Sequence, residues 1–349
     1  MNKANLIRHI GNMEQLASVR SYTVDQGPMK GIKMHHLDGG PLTLTVMESR
    51  GMDILDMRYK GTPLNFLSKC GAMAREHVDP VGMNFLRGIS GGMLYTCGLN
   101  NVGNEVETEQ GIDYFHGRLR LLPADKVSVE QDWDERGYRL AVSGRMRQAG
   151  LFRENMVLKR TVESYMGERT VMIRNTVINE GIREEPLMIM FHVNVGFPVL
   201  TGNAELFIPT KRVYPMSERA KELPEAWSAL TEPSDEETET VYVHEMLSDS
   251  AGMTHACVYN PVIKLGLGVS FRTDTLPKLL EWRSMGSTDY VLGLQPTNCF
   301  AAGRTFEEQN GTLVRIAAGE SKDFDVQLTV LDGDRDRDMF AEKINCCKR

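Results

Sequence analysis

A chain of 349 residues with 41 % hydrophobic and 25 % charged residues has the make-up of a globular protein with ample material for a core. Its net charge of −7 argues against nucleic acid or an anionic membrane surface as a partner, since both reward a basic surface. The longest apolar run, residues 187–191, falls far short of the roughly 20 residues a membrane helix needs, and the N-terminus has no signal-peptide core. The six cysteines form no C-x-x-C pair, which reads as reduced thiols and a cytoplasmic location.

The chain opens with apolar residues at Leu6, Ile7, Ile10, Met13 and Leu16, a spacing that predicts a short amphipathic helix over residues 5–16. Almost everything after it reads as strand. Residues 42–47, 138–146 and 170–179 alternate with period two, and so do 265–271, 290–295 and 324–330. Gly and Pro punctuate these runs at short intervals, as an all-β sandwich or barrel requires. The expected fold class is therefore all-β, with large antiparallel sheets in one domain over residues 1–349. Residues 210–240 form an insertion in this scheme. Its stretch 224–240 is dense in Glu and Asp, with Pro224 and Pro233, and reads as a solvated acidic loop.

Four segments combine polar side chains with a structured setting. Residues 85–99 form a glycine-dense loop running into an apolar strand, with Arg87 at its head. Arg87 fits either a surface ion pair or a ligand clamp, and the spacing matches no phosphate-binding loop. Tyr114-Phe115-His116-Gly117-Arg118 holds a histidine that can face a cleft or be satisfied internally. Residues 187–198 carry His192 and Asn194 inside an apolar run. Two residues apart on a strand, they share one face, and Phe191, Val193 and Val195 point the other way into the core. His192 titrates near neutral pH, which makes it a natural proton carrier. The fourth segment runs from Tyr290 to Cys299, where Gln295 ends a strand and Pro296 stops it, with Gly303-Arg304 soon after. The remaining histidines have no metal-ligand spacing, so no metal site is expected. No G-x-S-x-G elbow is present.

In register, these segments resemble the aldose 1-epimerase (galactose mutarotase-like) superfamily, and most closely its DUF4432 branch. The resemblance rests on Gly11-Asn12-Met13-Glu14-Gln15-Leu16-Ala17, Arg50-Gly51-Met52-Asp53-Ile54 and the stretch 91–99. It extends through His116-Gly117, the His192 segment, Trp282-Arg283-Ser284-Met285-Gly286 and Gly293-Leu294-Gln295-Pro296. It implies a β-supersandwich with a free sugar held in an open cleft. It also implies acid/base ring opening that interconverts anomers, with no cofactor. Carried over, His192 becomes the general acid at the ring oxygen. Arg87 and His116 bind sugar oxygens, and Asn194, Trp282 and Arg304 complete the substrate-binding set. The family's base is a glutamate where this chain has Gln295, and an amide does not accept a proton at neutral pH.

Three expectations follow from that departure. Another carboxylate supplies the base, with Glu281, Glu307 and Glu308 nearest in sequence; or the protein binds sugar with weak or no catalysis; or the pocket serves an acidic or phosphorylated sugar in a different isomerisation. A small-molecule sugar is the expected partner in each. A long all-β chain also has edge strands through which a homodimer can form.

Overall fold

The computed structural model describes residues 3–109 and 111–348. Three antiparallel sheets carry most of the strand residues among the described residues. A five-stranded sheet takes the N-terminal strands in chain order, from Ser18–Thr23 through Lys33–Asp38, Leu42–Met47 and Asp53–Tyr59 to Thr62–Pro63. The largest sheet has nine strands, among them the long neighbours Tyr138–Ala149, Asn155–Tyr165 and Thr170–Asn179. The third has six strands in the order Thr210–Pro215, Thr240–Met246, Lys278–Gly286, Asp289–Thr297, Met188–Val195, Leu94–Leu99. No helix of the described residues is long and apolar enough to cross a membrane.

Alternation explains how the sheets stack. Ile189, Phe191, Val193 and Val195 are fully buried and join one core that also takes Leu44, Val142, Ile173, Leu267 and Val330 from the other sheets. Met188 and Met190 point to the opposite face, with Tyr95, Cys97 and Leu280. The Met188–Val195 strand thus has a dry core on one side and the functional face on the other.

The strands at 42–47 and 170–179 fall where the alternation places them. The N-terminal helix is shorter than its periodicity suggests. It spans Lys3–Leu6, and a separate 3₁₀ turn covers Met13–Gln15. Between them Gly11-Asn12 breaks the run, and Asn12 Oδ1 accepts the Glu14 N–H at 3.0 Å. Only Leu6 of the helix is buried, and an unpacked helix of that length has little to sustain it. Pro296 does not stop its strand either, which continues to Thr297. The ladder to Met188–Val195 pairs Leu294 with Val193 and Thr297 with Met190, and it is open between them. Pro296, which has no N–H to donate, sits in that gap.

The acidic stretch is not simply a solvated loop. A helix at Glu218–Glu222 leads into it from the earlier part of the 210–240 segment, and the stretch itself holds a 3₁₀ turn at Ala226–Ser228. Arg283 Nη1 donates to the carbonyls of Ala226 and Ala229 at 2.8 and 2.7 Å, and the Tyr290 hydroxyl donates to Thr231 O at 2.6 Å. These bonds fix its course over the six-stranded sheet.

Candidate functional site

Register builds the site. His192 pairs directly with Tyr95 on one neighbouring strand. On the other side, the pairings Val193–Leu294 and Met190–Thr297 set His192 opposite Gln295, and Gln295 pairs in turn with Leu280. One row across four strands therefore reads Tyr95, His192, Gln295, Leu280. The next row on the same face carries Asn194, Gly293 and Trp282. Gly293 leaves room there. A Cβ at that position would lie 2.3 Å from Gln295 Nε2 and 3.3 Å from the Trp282 Cβ, so its absence lets the Gln295 side chain lie over the strand.

Above these rows is a cavity of about 340 Å³, lined by His192, Gln295, Asn194, Tyr95, His116 and Trp282 together with apolar side chains. The His192 ring stands 5.3 Å from the Trp282 ring, 6.1 Å from Tyr95 and 6.3 Å from His116, each edge to face.

The hydrogen bonds fix both histidine tautomers. Asn194 Nδ2 donates to the carbonyls of Gly92 and His192 at 3.0 and 3.1 Å, which leaves its Oδ1 as the acceptor for His192 Nδ1 at 2.5 Å. His192 Nδ1 is then the protonated nitrogen, and Nε2 accepts from Gln295 Nε2 at 3.0 Å. Burial draws the His192 pKa down to about 4, against a smaller opposing effect of the bond to Asn194, so the ring is neutral at pH 7.

His116 sits at φ 59°, in the left-handed region, held by a reciprocal pair of bonds with Gly103. Its N–H donates to Gly103 O at 2.9 Å, and the Gly103 N–H donates to His116 Nδ1 at 3.1 Å. Nδ1 is an acceptor, so the proton of neutral His116 is on Nε2. Burial, then the neighbouring His192 and Arg120, hold His116 well below the usual histidine range. Behind this wall Arg120 is buried with Nε and Nη1 unpartnered among the described residues, and its guanidinium lies 5.9 Å from the Tyr95 ring. Burial pushes the Tyr95 phenol up to about 12.

Of the residues singled out from sequence, His192, Gln295, His116, Asn194 and Trp282 share this cavity. Arg87 and Arg304 do not line it. Arg87 is exposed at the end of the 3₁₀ segment Gly82–Gly88, although its neighbours Phe85 and Leu86 are in the wall. Arg304 lines a separate polar cleft, where its Nη1 meets Asp113 Oδ2 at 2.8 Å.

The three carboxylates nearest in sequence are also elsewhere. Glu281 lies between Leu280 and Trp282 and so faces away from the cavity, paired with His244 at 2.9 Å and Arg283 at 3.3 Å. Glu307 is buried and accepts from the Phe300 N–H and the Thr312 hydroxyl. Glu308 lies 3.8 Å from Arg304 and 3.9 Å from Arg315. The acidic residue that does line the cavity is Glu239, whose Oε2 accepts the Trp282 indole N–H at 2.8 Å. Glu239 belongs to the stretch read from sequence as solvated. It lies two residues before Val241, another wall residue, on the edge of the strand Thr240–Met246. The run Thr240-Val241-Tyr242-Val243 is the sequence signal that could have found it. Among the described residues no group of three or more His, Cys, Asp or Glu is placed to hold a metal ion.

Residues 29–330 match the family described as a domain of unknown function (DUF4432). No curated protein matches the chain. Among solved structures, a candidate aldose 1-epimerase from Klebsiella pneumoniae subsp. pneumoniae superposes with a TM-score of 0.89 at 22 % identity, covering 97 % of this chain and 91 % of that one. A galactose mutarotase-like protein from Clostridium acetobutylicum gives 0.63 at 11 % identity, over 91 % and 99 % of the two chains. Galactose 1-epimerase from Lactobacillus acidophilus gives 0.60 at 11 % identity, over 91 % and 99 %. At these identities the likeness is one of fold, the galactose mutarotase-like β-supersandwich.

Proposed function

Since the chain belongs to the DUF4432 family, we propose that it is a carbohydrate-binding protein of aldose 1-epimerase type, which takes a free sugar into the His192 cavity and interconverts its anomers slowly. The observation that carries the reading is the row Tyr95, His192, Gln295 beneath one cavity, with His116 in the wall and the Trp282 ring beside His192. An indole ring offers the apolar face on which a sugar's C–H groups pack.

In this reading neutral His192 begins as the base. The C1 hydroxyl replaces the Gln295 N–H at His192 Nε2 and gives up its proton there. The C1–ring oxygen bond opens as the C1 carbonyl forms. The His116 Nε2–H stabilises the charge that develops on the ring oxygen, and that oxygen then takes the proton held by His192. Rotation about C1–C2 and closure give the other anomer. Gln295 suits both protonation states of His192. Its NH₂ donates to the neutral ring, and after an amide flip its oxygen accepts from the protonated one. It supplies no charge to either, and this is why the expected rate is low.

Nuclear magnetic resonance exchange spectroscopy or polarimetry on a panel of free aldoses tests the proposal. The expected result is anomer exchange accelerated in proportion to protein, and lowered about 10²–10⁴-fold or abolished in His192→Ala. Wild-type activity in that variant would remove His192 from the chemistry. The amide at position 295 favours a second reading, a sugar-binding protein without catalysis, and binding with no acceleration across the panel would select it.

A further inference from the structure

The cavity wall is mostly hydrocarbon. Met83, Leu86, Ile89, Met190, Val241 and Leu280 all line it. Its polar groups are few and largely engaged. Asn194 spends its NH₂ on two carbonyls and its oxygen on His192. The Tyr95 hydroxyl and Gln295 Oε1 are sealed from solvent and bond to nothing among the described residues. His192 and His116 are the histidines with accessible surface in the wall, and the Glu239 carboxylate adds one acceptor already shared with Trp282. No lysine or arginine is among the lining residues. A phosphate or carboxylate entering here would meet Glu239 and no cation. A fully hydroxylated hexose would bring more hydroxyls than the wall can pair, and each left unpaired opposes binding.

We propose that the cavity is shaped for an uncharged, deoxygenated sugar, one that carries methyl or methylene groups where a common hexose carries hydroxyls. This substrate class rests on the sugar reading above and narrows it. The reacting end, with the anomeric hydroxyl and ring oxygen, meets His192 and His116. The deoxygenated carbons meet Met190, Leu280 and Val241.

Titration calorimetry with matched series tests it. Each series contains a hexose, its 6-deoxy and 2,6-dideoxy forms, its 6-phosphate and its uronate, in gluco, galacto and manno configurations. The expected result is affinity rising about tenfold or more from the hexose to a deoxy form in at least one configuration, with no detectable binding of the phosphates and uronates. Val241→Thr keeps the side-chain shape and adds one hydroxyl to the wall, and is expected to shrink that preference; an undiminished preference overturns the hydrocarbon wall as its source. Equal or tighter binding of the hydroxylated or phosphorylated sugars overturns the assignment and leaves the sugar reading intact. Absence of binding by every sugar overturns both.

Discussion

At the scale of single residues, the site turns on what faces His192 Nε2. With the neutral amide of Gln295 there, only the bond to Asn194 opposes burial, and the pKa falls to about 4. The rate should therefore rise with pH through about 4, as the base becomes neutral, and stay flat above it. Gln295→Glu puts a carboxylate against the ring, which favours the imidazolium, raises the His192 pKa and restores an acid–base pair. The expected outcome is faster anomer exchange with its acidic limb moved to higher pH. Rate–pH profiles and the imidazole proton resonances check both parts, and an unchanged or slower variant would show that Gln295 is not a weakened catalytic position. The sharing of one face by His192 and Asn194 was legible in sequence, because a spacing of two on a strand admits no other answer. That Gln295 stands opposite His192 depends on a register between segments about a hundred residues apart, and only the likeness to a family suggested it. The same alternation could have set Glu281 aside, since it lies between two residues, Leu280 and Trp282, that face the cavity.

At the scale of elements, the segment from Pro224 to the start of the Thr240–Met246 strand is the part whose role its composition concealed. Acidic residues and prolines indicate solvent exposure, and most of its side chains are exposed. Composition does not reveal that the backbone carbonyls of this segment are gathered by Arg283, or that its last acidic residue returns to the cavity through Trp282. The indole–carboxylate bond is the segment's tie at the cavity itself. Trp282→Phe keeps an aromatic face and removes the donor. Its expected effect is faster amide hydrogen exchange over residues 231–239, with exchange in the core strands unchanged. Equal protection in that segment would mean that its other bonds, among them Tyr290 to Thr231 O and the Ser234 N–H to Met285 O, hold it without the indole. Strand periodicity was a dependable signal where a long strand buries one complete face, as in Thr170–Asn179. The N-terminal periodicity had no face to bury, and there the helix stopped early.

At the scale of the whole molecule, the stretches that made the family likeness specific divide into two kinds. His192, His116, Trp282 and Gln295 build the cavity, whereas Asp53 in the Arg50–Ile54 motif and Thr96 in the glycine-dense segment build the joint between sheets. Asp53 belongs to the five-stranded sheet, Thr96 to the six-stranded sheet and Arg160 to the nine-stranded sheet. Arg160 Nη1 reaches Asp53 Oδ1 and Gly51 O, each at 2.9 Å, and its Nη2 reaches the Thr96 hydroxyl at 2.9 Å. Thr96 gives both its hydroxyl and its N–H to the Asp53 carboxylate, at 2.6 and 3.0 Å. All three side chains are buried, so the charges are shielded from water and hold one another in place. Burial also makes the whole fold sensitive to acid. Unfolding returns His192, held at about 4, and His116, held well below its ordinary value, to about 6.5. Between those values the unfolded chain binds more protons, so stability is complete above about pH 6.5 and falls as the pH drops through that window. The slope approaches about 1.4 kcal/mol per pH unit for each histidine, and denaturant titrations at pH 7 and about pH 5 should find it reduced in His192→Gln. The inter-sheet joint makes a sharper demand. Asp53→Ala leaves the Arg160 guanidinium buried without its counter-charge and is expected to lower stability by about 3–5 kcal/mol. Asp125→Ala removes an exposed partner of Arg145 and should leave the unfolding midpoint nearly unchanged. Urea midpoints for the two variants decide the matter. Equal, small shifts would mean that apolar packing alone holds the three sheets together, whereas a large shift for Asp53→Ala only would identify the charged cluster as the joint that aligns the His192 strand with the rest of the core.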